Sequence, residues 1–152
     1  MINFLKKLYY EKYSKKSYSI SNVDLIIDRM FSKIEKGYYI DLGCNHPIKF
    51  NNCYILYKRG WRGINIDLDK NCIDEFNKLR NEDYNFQSVI SSKSDLEKSI
   101  YIYHSRSAIN TVSDELIKYR NTDKDKIKII KKKTETLEDI IEKTPLKKKK
   151  FN

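Results

Sequence analysis

The chain has 152 residues, which suits one domain, and its 31 Lys and Arg against 21 Asp and Glu give a net charge of +10. Cys44, Cys53 and Cys72 form an odd set with no C-x-x-C pair, which argues against a disulfide framework or a zinc knuckle and for free thiols in a reducing compartment. No apolar run approaches the roughly 18 residues of a transmembrane helix, and the first residues lack the apolar core and cleavage site of a secretory signal, so a cytoplasmic location is expected.

Lys, Asn, Ile and Tyr dominate while Gly, Pro and Ala are scarce, so the positive charge reads first as the composition of an AT-rich genome. The lysines cluster at 131–133 and 147–150, away from aromatics that could stack on bases, and no nucleic-acid partner is expected.

Residues 1–20 form a basic, Tyr-rich lead-in, and residues 21–152 the domain proper. Residues 2–13 suit an amphipathic helix with Phe4, Leu5, Leu8 and Tyr9 on one side, packing on the protein's own body or on a partner rather than on a membrane. Ser21-Asn22-Val23-Asp24 matches a capping box, and Val23, Ile27, Met30, Phe31 and Ile34 follow at helical spacing until Gly37. Tyr38 to Leu42 is a short β-rich run that Gly43 breaks. Residues 51–59 predict a helix closed by Gly60, and residues 64–67 a second strand. Residues 69–80 predict a further helix with Cys72, Phe76 and Leu79 inward, and residues 84–90 a third strand. This alternation predicts an α/β fold with a parallel sheet and helices on both faces. Beyond it, residues 99–103 and 127–130 suit strands, and residues 114–119 a short helix. Residues 105–113 form a polar loop that either covers a site or is plain surface. Thr136-Leu137-Glu138-Asp139 is a second capping box, opening a helix over residues 137–143 that Pro145 ends.

Asp41-Leu42-Gly43-Cys44-Asn45 lies where the first strand ends, the place where open α/β sheets bind nucleotide-like ligands. Gly43 supplies a tight turn, and Asn45 tolerates left-handed geometry. Asp67 ends the next strand 24 residues after Gly43, placed to accept hydrogen bonds from both hydroxyls of a ribose. The second and third glycines of G-x-G-x-x-G are absent, so no pyrophosphate cradle is present and a dinucleotide is disfavoured. His46 follows the turn and is either a general base or a loop histidine that holds backbone groups. Asp69 reads as a helix-start charge, Asp83 as a turn residue, Trp61 as packing, and His104 as a solvated side chain.

The run Tyr39-Ile40-Asp41-Leu42-Gly43-Cys44-Asn45-His46-Pro47, then Asn52-Cys53-Tyr54-Ile55-Leu56-Tyr57 and Gly60-Trp61-Arg62-Gly63-Ile64-Asn65-Ile66-Asp67, resembles methyltransferases of the FkbM family. Their subgroup with D-I-G-A-N-H-P, S-N-T-Y-x-L-Y and G-W-x-G-I-x-I-D is the nearest in pattern. Arg80, Asp83, Asn85 and Ser88 to Ser91 fit its third-strand region, and Thr136-Leu137 with Ile140-Ile141 its T-L-x-x-I-L helix. The resemblance implies a Rossmann-like class I fold, S-adenosyl-L-methionine as cofactor, and methyl transfer to an oxygen of a sugar, glycan or small-molecule acceptor. It implies that Asp41, Gly43 and Asn45 line the methionine end, that Asp67 holds the ribose, and that Leu68, Ser88 and Val89 flank the adenine. Cys44 stands where a small Ala is usual, and Asn51-Asn52-Cys53 replaces Ser-Asn-Thr, removing two hydroxyls. The family continues with a strand reading roughly D-F-L-x-I-D-V-E-G, and Lys149-Lys150-Phe151-Asn152 looks like the approach to it. The expectation is a sheet incomplete at its C-terminal end. The first strand would then lie at an edge, covered by a partner chain or a homo-oligomer, or the chain would be a remnant that at most binds the cofactor.

Overall fold

The computed structural model describes residues 5–6, 14–105, 107–121, 123 and 126–149. The element order is α1 (Val23–Met30), β1 (Tyr38–Leu42), α2 (Tyr54–Lys58), β2 (Arg62–Asp67), α3 (Lys70–Leu79) and β3 (Tyr84–Gln87). There follow β4 (Glu97–Ile102), α4 (Asp114–Tyr119), β5 (Lys128–Lys133), α5 (Leu137–Glu142) and a 3-10 turn at Pro145–Lys148. The helix expected over residues 2–13 and the chain from Lys150 onward lie outside the described residues, apart from Leu5 and Lys6.

β1, β2 and β3 form a parallel sheet with β2 in the middle. Ile40 stands opposite Ile64 and Leu42 opposite Ile66, while Ile64 pairs with Tyr84 and Ile66 with Phe86. Side-chain alternation sorts the two faces. Tyr38, Ile40, Ile64, Ile66, Tyr84 and Phe86 share a cluster with Ile140 of α5 and Leu146 of the 3-10 turn. Tyr39 joins a different cluster with Ile55, Leu56 and Trp61, against which Leu25, Ile27 and Phe31 pack. The expected mixed α/β architecture, with helices against both faces of a parallel sheet, is what the chain forms. Ile64, Ile66 and Ile140 are 0–2 % exposed, and each buried aliphatic side chain contributes about 1.5–3 kcal/mol.

The parallel series stops at β3. β4 and β5 form a separate antiparallel pair, with Glu97 opposite Lys133 and Ile102 opposite Lys128. β5 reads Lys-Ile-Ile-Lys-Lys-Lys and is largely exposed, so it cannot serve as an inner strand of a parallel sheet, which is buried on both faces. One parallel bridge, Ile90 to Glu135, links this half to the chain leaving β3.

The start of α1 differs from expectation. Asn22, at φ 57°, is the N-cap and makes no side-chain cap, so the Ser21 capping box does not form. The Asp24 carboxylate turns back to the lead-in instead, accepting from the Ser17 hydroxyl at 2.6 Å, the Tyr18 amide at 2.6 Å and the Ser19 hydroxyl at 3.0 Å. The helix ends at Met30 rather than running to Lys36. The capping box at Thr136 and Asp139 forms in both directions. Among the described residues, no helix is long and apolar enough to cross a membrane.

Candidate functional site

The turn after β1 folds across the end of β2. Gly43 takes φ +73° and Asn45 φ +51°. The Gly43 and Cys44 amides both donate to the Ile66 carbonyl, at 2.9 and 3.2 Å. Asp67, the last residue of β2, completes the fold of the turn. Its Oδ2 accepts from the Asn45 amide at 2.9 Å, and its Oδ1 accepts from the Asp69 amide at 2.9 Å. Asp69 in turn caps α3 by accepting from the Asn71 amide at 2.9 Å, as expected of a helix-start acid. Each Asp67 oxygen keeps further acceptor capacity, because a carboxylate oxygen offers two lone pairs.

These groups border a cleft of about 490 Å³ at the carboxyl ends of the parallel strands. Gly43, Asn45, Asp67, Leu68, Ser88 and Val89 all line it. Ser88 stays at the end of β2 through its amide, which donates to the Asp67 carbonyl at 3.0 Å. Its hydroxyl donates to Glu135 Oε2 at 2.6 Å. Asp41 does not line the cleft. Its carboxylate points behind the turn and accepts from Asn51 Nδ2 at 2.9 Å. His46 does not line the cleft either. Its Nδ1 accepts from the Ile48 and Lys49 amides at 3.0 and 2.9 Å, the backbone-holding alternative, and its Nε2 lies 4.0 Å from Glu75.

By sequence, residues 105–113 either cover a site or are plain surface. Ser107, Ala108, Asn110 and Val112 form a wall of the cleft. Asn110 pins this wall, accepting from the Tyr103 amide at 2.9 Å and donating to the His104 carbonyl at 3.0 Å. Ala108 and Val112 escaped notice because small apolar residues in a polar loop carry no chemical signature.

Burial drives the electrostatics. Burial lifts the Asp67 carboxyl above its ordinary range, against the hydrogen bonds from the Asp69 and Asn45 amides. It lifts Asp41 as well, opposed by Asn51 and Arg80 and reinforced by the negative Asp67. The Cys44 and Cys53 thiols are pushed far up by burial and by Asp41, so neither is a nucleophile near neutral pH. Carboxylates at and behind one end of the cleft favour a ligand that brings hydroxyl donors or positive charge. Among the described residues, no group of His, Cys, Asp and Glu could hold a metal ion.

Fold and site together define a class: a mixed α/β protein with a ligand-sized cleft where parallel strands end. No family model, no curated protein and no solved structure matches the chain.

Proposed function

We propose that the cleft binds S-adenosyl-L-methionine and that the chain carries the cofactor-binding part of a class I, FkbM-type methyltransferase acting on a hydroxyl of a sugar, glycan or small molecule. The observation that carries the reading is the meeting of Gly43, Asn45 and Asp67 at one end of a cleft whose other walls include Leu68 and Val89. The residues fit the group. Asp67 is held by two backbone amides and retains acceptor capacity for a diol, Leu68 and Val89 offer apolar surface for a flat base, and no cradle for phosphates is needed.

When bound, the cofactor supplies an activated methyl group on a positively charged sulfur. The chain's own part is positioning. Gly43 lets the backbone come close, the Asn45–Asp67 bond fixes the turn, and the Ser107–Val112 wall limits water. Asp67 orients ligand and moves no proton. His46 stands outside the cleft, and no base is assigned.

A second reading, cofactor binding without transfer, is favoured by one observation. The acids that line the cleft are Asp67 and Asp69, and both are engaged in holding backbone amides. Calorimetric titration of S-adenosylhomocysteine into the purified chain tests the shared core of both readings. One-site binding that is lost in Asp67→Ala is expected. A folded wild-type chain that takes up no ligand overturns the proposal.

A further inference from the structure

The turn that carries Gly43 and Asn45 is held from two sides. Asp67 grips it from the cleft through the Asn45 amide. The second grip comes from a buried network behind it. Asn51 is 2 % exposed. Its Nδ2 donates to the Cys44 carbonyl of the turn at 3.3 Å and to Asp41 Oδ2 at 2.9 Å. Its Oδ1 accepts from Arg80 Nη1 at 3.1 Å and from the Cys53 amide at 3.0 Å. Turned over, the amide would set its NH2 against the Arg80 guanidinium and its oxygen against the Asp41 carboxylate.

Arg80 is 0 % exposed, and its own place is fixed. Its Nε donates to Asp83 Oδ2 at 2.9 Å, its Nη1 also reaches the Pro47 carbonyl at 3.4 Å, and its Nη2 meets the Tyr39 hydroxyl. Asp83 is buried too. It accepts from the Gly63 amide at 2.8 Å, from Asn65 Nδ2 at 3.0 Å and from the Tyr39 hydroxyl at 2.7 Å. The cation is therefore neutralised at one end, and its remaining fork reads the orientation of Asn51.

We infer that Asn51 is a positioning residue for the ligand-binding turn and that Arg80 sets its amide, so a buried cation that never lines the cleft governs affinity within it. The inference rests on the reading of the cleft as a cofactor site.

Asn51→Asp separates positioning from mere packing. The variant keeps the acceptor that Arg80 and the Cys53 amide use. It loses the donor to Asp41 and to the Cys44 carbonyl, and sets carboxylate against carboxylate. One shared proton would restore a donor. Asp41 is faced by Asn51 and Cys53 from the turn before α2, by Arg80 from the end of α3 and by Asp67 from β2, with Cys44 beside it. His46 Nε2 lies 4.0 Å from Glu75, and neither residue hydrogen-bonds Asp41. Wild type shares every one of these except residue 51, so the ratio of the two proteins isolates that position.

S-adenosylhomocysteine is titrated into wild type and Asn51→Asp from pH 5.5 to 8.5. The variant should bind about tenfold or more weakly at pH 8, the loss of a buried donor. The gap should close to about threefold at pH 5.5 as the carboxyl pair takes up its proton. A variant that binds as tightly as wild type at pH 8 overturns the inference. Ligand-free hydrogen exchange decides the same point independently. The Gly43, Cys44 and Asn45 amides should exchange about tenfold faster in Asn51→Asp at pH 8, relative to wild type at that pH. Unchanged exchange refutes the second grip, whereas wild type that binds nothing refutes the cofactor reading alone. Should Asn51→Asp not fold, Arg80→Lys keeps the charge beside Asp83 and loses the fork to Asn51. A folded Arg80→Lys chain with wild-type affinity and exchange also overturns the inference.

Discussion

Two glycines at the residue scale show how the site depends on different kinds of space. Gly43 sits at φ +73° with nothing within 4 Å of the position a Cβ would take. Its cost to any other residue is conformational, about 1–2 kcal/mol. Gly63 lies on β2 opposite Tyr39, and an added Cβ would meet the Tyr39 ring and lie 2.6 Å from the Tyr39 carbonyl oxygen. The ring cannot swing aside, because its hydroxyl is held by Arg80 and Asp83. Gly63→Ala should therefore destabilise by about 2–3 kcal/mol, more than Gly43→Ala, while Gly43→Ala should weaken S-adenosylhomocysteine binding more. Urea denaturation and ligand titration of both variants check this, and a Gly63→Ala chain as stable as wild type would contradict the packing. The spacing of Gly43, Asn45 and Asp67 was legible in the sequence because strand ends announce themselves by a change of residue type. Asn51 and Arg80 were not legible as a pair. Twenty-nine residues separate them, and although each falls in a stretch of the resemblance, no spacing rule joins a loop amide to a guanidinium at a helix end. Asp83 is the turn residue that the sequence suggests, its amide donating to the Arg80 carbonyl at 3.1 Å, and its carboxylate, on a residue 7 % exposed, also balances the buried guanidinium.

At the element scale the two proposed capping boxes part company. Thr136 caps α5 as read, because Asp139 has nothing stronger to hold than the Thr136 amide and the Ser94 hydroxyl nearby. Asp24 had a stronger offer. Fully buried, it gathers the Ser17 and Ser19 hydroxyls and the Tyr18 amide, so it ties the lead-in to α1 instead of completing a box. Sequence spacing cannot rank such competitors, since the lead-in returns to α1 only in three dimensions. Burial works against the charge of Asp24, but these hydrogen bonds outweigh it and hold the carboxyl below its ordinary range. The sign of the pH effect follows. The stabilisation is complete above the unfolded value near ~3.9 and is lost as pH falls through the lower folded value. Asp24→Asn should cost roughly 1–3 kcal/mol at pH 7, and the difference from wild type should shrink as the solution is acidified below pH ~4. Denaturant midpoints at neutral and acid pH measure it. A difference that grows on acidification would show that the carboxylate does not hold the lead-in.

For the whole molecule the decisive feature is the unequal standing of the three parallel strands. β2 is paired on both sides, whereas β1, among the described residues, pairs with β2 alone. The Gly43 amide donates to the Ile66 carbonyl, and the Gly37 carbonyl accepts from Arg62. Because successive residues of a strand alternate in direction, Tyr39 and Asp41 then turn their backbone groups toward β2, and Ile40 and Leu42 turn theirs away. The site hangs from this arrangement, since the turn at Gly43 continues β1 and is bonded to the end of β2. Sequence alternation revealed the three strands but could not reveal that β4 and β5 stand apart, because a lysine-rich antiparallel pair and a sheet edge look alike as isolated segments. Native-state hydrogen exchange follows directly. The Ile64 and Ile66 amides, in a strand flanked on both sides and 0–2 % exposed, should exchange only through global unfolding. The Ile40 and Leu42 amides should exchange faster by on the order of a hundredfold, through local opening alone. If the cleft binds the proposed cofactor, its product added to saturation should slow Gly43 and Asn45 and leave Ile40 unchanged, because the first two line the cleft and Ile40 does not. Equal protection of Ile40 and Ile64 without ligand would mean that another strand, from this chain or a second copy, already lies along β1.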